Sequence, residues 1–238
     1  MLLEILFFRS LFRNTKVELK DNENLVYGSN KFLWLAGLLF HYSFLIIFLR
    51  HFKYFVQPAP AFVTWLQNID SFFQFGLPIV YLTDVLLVVS VSYLLLRRLF
   101  DAKLRYLSLM TDYFPLLLLL SIAASGIWMR YFDKVDLVSI KEVGTGLLSF
   151  HPVVPEGITV VFYIHFFLVI SLITYFPFSK LMHMGGIFLS PTRNLANNNR
   201  MKRHLNPWNP DVKLHTYEEY EDEFREVMKA AGLPLEKE

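Results

Sequence analysis

Gly157 to Gly186 reads GITVVFYIHFFLVISLITYFPFSKLMHMGG. The stretch is apolar and long enough to cross a bilayer, whose hydrocarbon core takes about 20 helical residues. Within it stand two histidines, His165 and His183, 18 residues apart. That is about five turns, so a straight helix presents both on one face. An ionisable side chain inside a membrane segment is costly and marks a functional position by default. Two on one face, at different depths, suggest a stack of two buried ligands. The other half of the stack must come from a second helix. The chain supplies one in KFLWLAGLLFHYSFLIIFLRHF, residues 31–52, with His41 and His51.

The whole composition agrees with this reading. Of 238 residues, 54% are hydrophobic and 17% aromatic, and the mean hydropathy is +0.38. A soluble domain of this length has too little interior for so much apolar side chain, so the expected class is an all-α, multi-pass membrane protein. With no cysteine, the chain cannot itself hold a cysteine-ligated iron–sulfur cluster, a CxxCH haem or a disulfide. Any redox group it carries is bound without a covalent link. The net charge of +2 gives no case for a nucleic-acid partner.

Taken in order, residues 1–30 form an interfacial segment. Its opening MLLEILFFRSLFRN is too short to span and carries Glu4, Arg9 and Arg13. It is either an amphipathic helix on the membrane surface or the end of a membrane helix, and it lacks the layout of a signal peptide. Residues 31–190 form a bundle of four transmembrane helices, predicted at about 32–52, 77–96, 112–129 and within 157–186. The first connection, 53–75, includes a short interfacial helix. The second, RRLFDAKLR at 97–105, is basic. The third, 130–156, is irregular. Pro115 falls in the first turn of its helix, where a missing N–H costs little. Pro177 kinks the last span. Residues 191–238 form a polar tail with one soluble helix, expected to dock a partner subunit.

Lys and Arg number five up to Lys31, two at Arg50 and Lys53, four in 97–105, three between Arg130 and Lys141, and nine from Lys180 onward. The positive-inside rule then puts both ends and the second connection in the cytoplasm. In this topology the two histidine helices run in opposite directions. His51 pairs with His165 towards the outside, and His41 with His183 further in. The spacings do not match, because 18 residues of straight helix rise about 27 Å and ten rise about 15 Å. Tilt and the Pro177 kink must absorb the difference.

Two facing imidazoles at each of two levels suit two b haems, held by axial histidines with no site left for oxygen. The alternative is a haem-free anchor or scaffold whose histidines hydrogen-bond neighbouring helices. A transporter is disfavoured by the absence of repeats and of Gly-broken helices. Arg50 is placed to meet a haem propionate or to anchor at the interface. Asp84 is a proton relay or a structural carboxylate. Lys53, Asp70 and Glu156 fall near the outer pair, where quinol deprotonation needs a titratable group; as loop charges they also have a purely solvated reading. His151, His204 and His215 lie in loops or tail and are not expected to be ligands. No catalytic residue is assigned.

Long strings carry a resemblance to a known family: FHYSFLIIFLRHFKYF at 40–55, YLTDVLLVVSVSYLLLRRLFD at 81–101, TDYFP at 111–115, HPVVPEG at 151–157, YFPFSKLMHMGGIFLSPTRNLANN at 175–198 and NPWNPDVKLHTYEEYEDEFRE at 206–226. With the histidine spacings, they resemble the cytochrome b (gamma) subunits of respiratory nitrate reductases. The nearer likeness is to the DsrM-type membrane cytochromes of DsrMKJOP complexes in sulfate- and sulfur-metabolising microbes. The resemblance implies two b haems, the outer on His51 and His165 and the inner on His41 and His183. It also implies menaquinol or menaquinone as redox partner, a cytoplasmic iron–sulfur subunit of the DsrK type that exchanges the electrons, and further membrane and periplasmic subunits. Members of this family usually carry further transmembrane sequence before the segment corresponding to residues 1–30, which leaves the helix count open at that end.

Overall fold

The computed structural model describes residues 2–20, 24–71, 80–189 and 214–236. The chain divides into two compact units, 1–193 and 194–238. The first opens with the short helices α1 (Leu2–Phe7) and α2 (Arg9–Phe12) and an antiparallel hairpin of β1 (Thr15–Lys20) and β2 (Asn24–Ser29). Thr15 faces Ser29 and Lys20 faces Asn24 in the ladder. The hairpin was not foreseen, because its alternation is written in polar residues.

The long elements of this unit are α3 (Lys31–His51), α5 (Leu82–Phe100), α7 (Met110–Tyr131) and α9 (Val160–Tyr175). Between them lie α4 (Ala61–Asp70), α6 (Ala102–Leu107) and α8 (Leu137–Leu148), and α10 (Met184–Leu189) follows. Each long helix packs on the next: α3 on α5, α5 on α7, α7 on α9. Leu87 and Val91 of α5 and Leu119 and Ala123 of α7 form the centre, with Phe40, Phe44 and Ile47 of α3 and Leu172 of α9 against them.

The outward surface is that of a protein solvated by lipid. In α3 the buried residues are Ala36, Gly37, Ser43 and Arg50, small or polar, while Leu35, Leu45 and Phe48 point out. Along α9, Ile164, Phe167, Ile170 and Ile173 are exposed. Small residues at helix contacts and large apolar residues outside are the arrangement expected in a bilayer. Among the described residues three helices are long and apolar enough to cross a membrane: Lys31–Tyr54, Met110–Tyr131 and Val160–Phe178. The predicted second span, α5, carries Asp84, Arg97 and Arg98 within its 19 residues. Of the four expected spans, three are helices of that kind among the described residues.

Several boundaries moved, each for a local reason. Helix α5 begins at Leu82 rather than near 77; residues 72–79 lie outside the described residues, and Tyr81 is extended. Its first turn is capped from afar, since Asp70 at the end of α4 accepts the Thr83 N–H at 3.0 Å. Helix α7 begins at Met110, with Asp112 accepting the Leu109 N–H at 3.0 Å. Pro115 is therefore in the second turn, not the first. The connection expected to be irregular contains the 12-residue α8, started by Asp136, whose carboxylate accepts the Ser139 N–H at 2.9 Å. The last span does not kink at Pro177; it ends. Helix α9 stops at Tyr175, a single 3-10 turn covers Phe176–Phe178, and Ser179 is extended.

The second unit contains α11 (Tyr217–Ala230), the expected soluble helix. Thr216 and Glu219 form a reciprocal capping box at its start, at 3.3 and 3.1 Å.

Candidate cofactor-binding site

The end of α9 at Pro177 removes the difficulty with spacing. His165 lies on α9, but His183 lies in the turn beyond it. The chain therefore does not rise through all 18 residues as helix. The turn brings the His183 ring to the His41 ring, with centroids 5.7 Å apart and planes at 85°. Phe40 and Phe8 pack edge-on against His41 at 4.9 and 5.0 Å. Ten residues along α3, His51 lies near enough to His165 to interact with it electrostatically.

The ring nitrogens are the informative atoms. On α3, Nδ1 of His41 lies 2.7 Å from the Gly37 carbonyl, and Nδ1 of His51 lies 2.6 Å from the Ile47 carbonyl. Nδ1 of His183 lies 3.3 Å from the Lys180 carbonyl. Nδ1 of His165 lies 2.9 Å from Ser125 Oγ on α7. A carbonyl accepts only, so the first three rings donate Nδ1–H. The Ser125 hydroxyl is 2.8 Å from the Ser121 carbonyl, to which it donates, and so its oxygen accepts from His165. In all four rings Nε2 is then the unprotonated nitrogen. A histidine that ligates a metal donates its other ring N–H in this way, which fixes its tautomer and orientation. Gly126, next to Ser125, faces the same ring: a Cβ there would lie 3.3 Å from His165 Cε1. Among the described residues no three His, Asp or Glu side chains gather to hold a metal ion. The imidazoles come in twos, a donor set that would suit a porphyrin iron.

Arg50 is buried, and its guanidinium is taken up by two carboxylates. Nη1 pairs with Asp70, and Nη2 reaches Asp84 at 2.9 Å. Asp70 also accepts from Thr83 Oγ1 at 2.6 Å. Tyr131 on α7 donates to Asp84 at 3.4 Å. The aliphatic and aromatic walls around this network include Tyr81, over which Arg50 lies at 4.0 Å and Arg130 at 3.8 Å. Lys53 lies over the Tyr54 ring at 4.9 Å. Glu156 and His151 are exposed in the connection between α8 and α9. His215, in the second unit, is 3.6 Å from Glu223, and His204 lies outside the described residues.

An N-terminal strap runs along α3 beside the His41–His183 pair. Trp34 Nε1 donates to the Phe7 carbonyl at 2.7 Å and Tyr42 to the Leu6 carbonyl at 3.0 Å.

A match to the nitrate reductase gamma subunit family spans residues 9–203. The chain belongs to that family. It is 48% identical over 219 residues to the Hdr-like menaquinol oxidoreductase cytochrome b-like subunit of Archaeoglobus fulgidus, covering 90% of this chain and 65% of that protein. The protein of the same name from Archaeoglobus profundus is 39% identical over 218 residues, covering 90% of this chain and 64% of the relative. The respiratory nitrate reductase 1 gamma chain of Escherichia coli is 27% identical over 165 residues, with 64% of this chain and 71% of that one covered. The chain thus spans less than two thirds of the length of these Archaeoglobus relatives, at 65% and 64%. Family membership and the three apolar helices make this nitrate reductase gamma-like chain a membrane protein.

Sequence reasoning singled out the four histidines, Arg50 and Asp84, and the structure sets His41 against His183 and Arg50 against Asp84. It missed Ser125, Gly126, Tyr81 and Arg130. A signal for the first two was available: on antiparallel helices, a Ser-Gly step level with a histidine offers it a hydroxyl and room.

Proposed function

We propose that the chain is a di-haem membrane cytochrome b subunit. It exchanges electrons between menaquinol or menaquinone in the bilayer and a partner subunit of a multisubunit oxidoreductase. His51 and His165 would hold the outer haem, and His41 and His183 the inner one. A b haem with both axial positions filled supplies reversible one-electron chemistry and leaves no site for oxygen. The observation that carries this reading is the occupied Nδ1 of all four histidines.

The chain's own residues would do the rest. The Nδ1 acceptors hold each ring in the ligating tautomer. The Phe40 and Phe8 rings pack against His41 of the inner pair. Arg50, neutralised by Asp70 and Asp84, ties α3, α4 and α5 together just outside the outer pair. Quinol oxidation releases two protons, and Lys53, Asp70 and Glu156 are the titratable groups we place on that side. Helix α5 would be the fourth crossing. Residues 1–30 would be interfacial, 31–190 the bundle and 191–238 a cytoplasmic tail. The likeness to DsrM-type cytochromes supports a role in dissimilatory sulfur metabolism. It also supports a DsrK-like cytoplasmic iron–sulfur partner for the tail, with other DsrMKJOP-like subunits around it.

A reduced-minus-oxidised visible spectrum of the purified protein, with haem quantified per chain, tests the proposal. Two haems are expected, falling to one in His51→Ala and in His183→Ala. A flat spectrum would leave only the haem-free anchor reading.

A further inference from the structure

The outer ends of α3 and α7 and the α8 helix bring three cationic side chains, Arg50, Arg130 and Lys141, within electrostatic reach of a fourth, Lys53. The two buried carboxylates nearby, Asp70 and Asp84, both answer Arg50. No ion pair holds Arg130 among the described residues. Its guanidinium lies on Tyr81, and its Nε is buried with no hydrogen-bond partner. An arginine that merely anchored at the interface would leave that N–H in water. A buried donor without a partner calls for an acceptor.

The register of α7 against α9 says what stands beside it. Phe114 meets Tyr175 at 5.0 Å, and Ser125 meets His165 at 2.9 Å. The helices are antiparallel, so continuing the register sets Arg130 level with Thr159 and Val160. Thr159 Oγ1 is the second buried polar atom without a partner among the described residues. Two orphaned polar atoms thus share one level. From Arg130 to the Ser125–Gly126 level that cradles His165 is about 7 Å of helix, from the rise per residue. The gap calls for a small anion carried on something that reaches down to the histidine pair. A planar guanidinium edge with a free Nε–H suits a carboxylate.

We propose that Arg130, rather than Arg50, receives a propionate carboxylate of the porphyrin held by His51 and His165, with Thr159 and Lys53 beside it. The inference rests on the di-haem reading. The counter-charge is consistent: with Asp70 and Asp84 paired to Arg50, the carboxylates of a propionate pair would answer cations that hold no ion pair among the described residues.

The test is a redox titration of the purified, haem-loaded full chain, followed optically, in Arg130→Gln and Arg130→Lys. Arg130→Gln should retain two haems while the midpoint of one falls by about 59 mV or more, a tenfold change in its equilibrium constant. Loss of a nearby positive charge favours the oxidised form. Arg130→Lys keeps the charge and should move the midpoint by less, while displacing the propionate band in a redox-difference infrared spectrum. Two haems with unmoved midpoints in Arg130→Gln would overturn the assignment and leave the di-haem reading intact. Unmoved midpoints with loss of copurified phospholipid phosphate would give the site to a lipid headgroup and overturn it equally. If Arg130→Gln does not fold, an unshifted propionate band in Arg130→Lys overturns it. A haem-free wild-type protein would sink both readings.

Discussion

Ser125 on α7 holds Nδ1 of His165 on α9 at 2.9 Å, while its own proton goes to the Ser121 carbonyl 2.8 Å away. The other three histidines find their Nδ1 partner three or four residues back along the chain. His165 alone among the four sets its Nδ1 against a side chain of a different helix. Ser125→Ala should therefore act on the outer pair selectively. Losing a group that orients a metal ligand typically weakens metal affinity by about 10–100-fold. We expect one haem to be depleted on dilution while the other stays, measured as haem per chain. Equal retention of both would show that Ser125 does not orient the ring.

Gly126 leads to a second prediction at the same ring. A Cβ there would lie 3.3 Å from His165 Cε1, close enough that the imidazole must yield by a few tenths of an ångström. Gly126→Ala should leave the haem bound but alter its low-temperature electron paramagnetic resonance, which reports axial-ligand orientation. Gly126→Leu, with more to accommodate, should lose the outer haem. Retention of both haems with unchanged spectra in Gly126→Leu would contradict the close packing.

How much of this was legible beforehand varied with the range of the interaction. The approach of His183 to His41 was legible because residue type and spacing are written locally, and membrane cost makes each histidine conspicuous. The end of α9 was half legible: Pro177 announced a disturbance, but whether a helix kinks or stops depends on what the next residues can reach. Ser179 extended and His183 set against His41 decided for a stop. Asp70 was read as a proton-handling group or a solvated loop charge, because its contacts are entirely non-local. It accepts from Thr83 and pairs with Arg50, neither of them near it in sequence. Helix α8 was hidden by its glycines, which serve contact rather than flexibility.

That last point can be tested at Gly144. A Cβ on it would collide with the Tyr54 carbonyl oxygen, a backbone atom that cannot swing aside. Gly144→Ala should force α8 away from the 3-10 turn Phe52–Tyr54. We expect protease cleavage within 137–148 in detergent to become faster, with the apolar spans still protected. Cleavage at the wild-type rate would mean that α8 does not rest on Tyr54.

Asp70→Ala removes one of the two carboxylates from a buried guanidinium and orphans the Thr83 N–H at once. Breaking a buried pair from one side costs about 3–5 kcal/mol. The lower end is expected here, because Asp84 still answers Arg50. Asp70→Asn keeps an oxygen for the Thr83 cap and should lose less. Thermal unfolding in detergent, monitored by circular dichroism, should rank wild type above Asp70→Asn above Asp70→Ala. Equal midpoints for all three would show that the network is not holding α3, α4 and α5 together.

The start of α8 gives a prediction in pH. Asp136 accepts the Ser139 N–H at 2.9 Å and its hydroxyl at 2.8 Å, and these bonds hold its carboxyl below the usual carboxylate range. A group whose folded pKa is depressed stabilises the fold above its unfolded pKa and loses that contribution as pH falls through the folded value. The cap should therefore be fully formed at neutral pH and weaken only below about pH 4, the unperturbed range of aspartate. Amide exchange of Val138 to Ile140, corrected for intrinsic rates, should accelerate there and not between about pH 5 and 8. In Asp136→Ala, where no carboxylate remains to protonate, the same amides should exchange faster at neutral pH and show no step on acidification. A step of equal size in that variant would assign the change to another group.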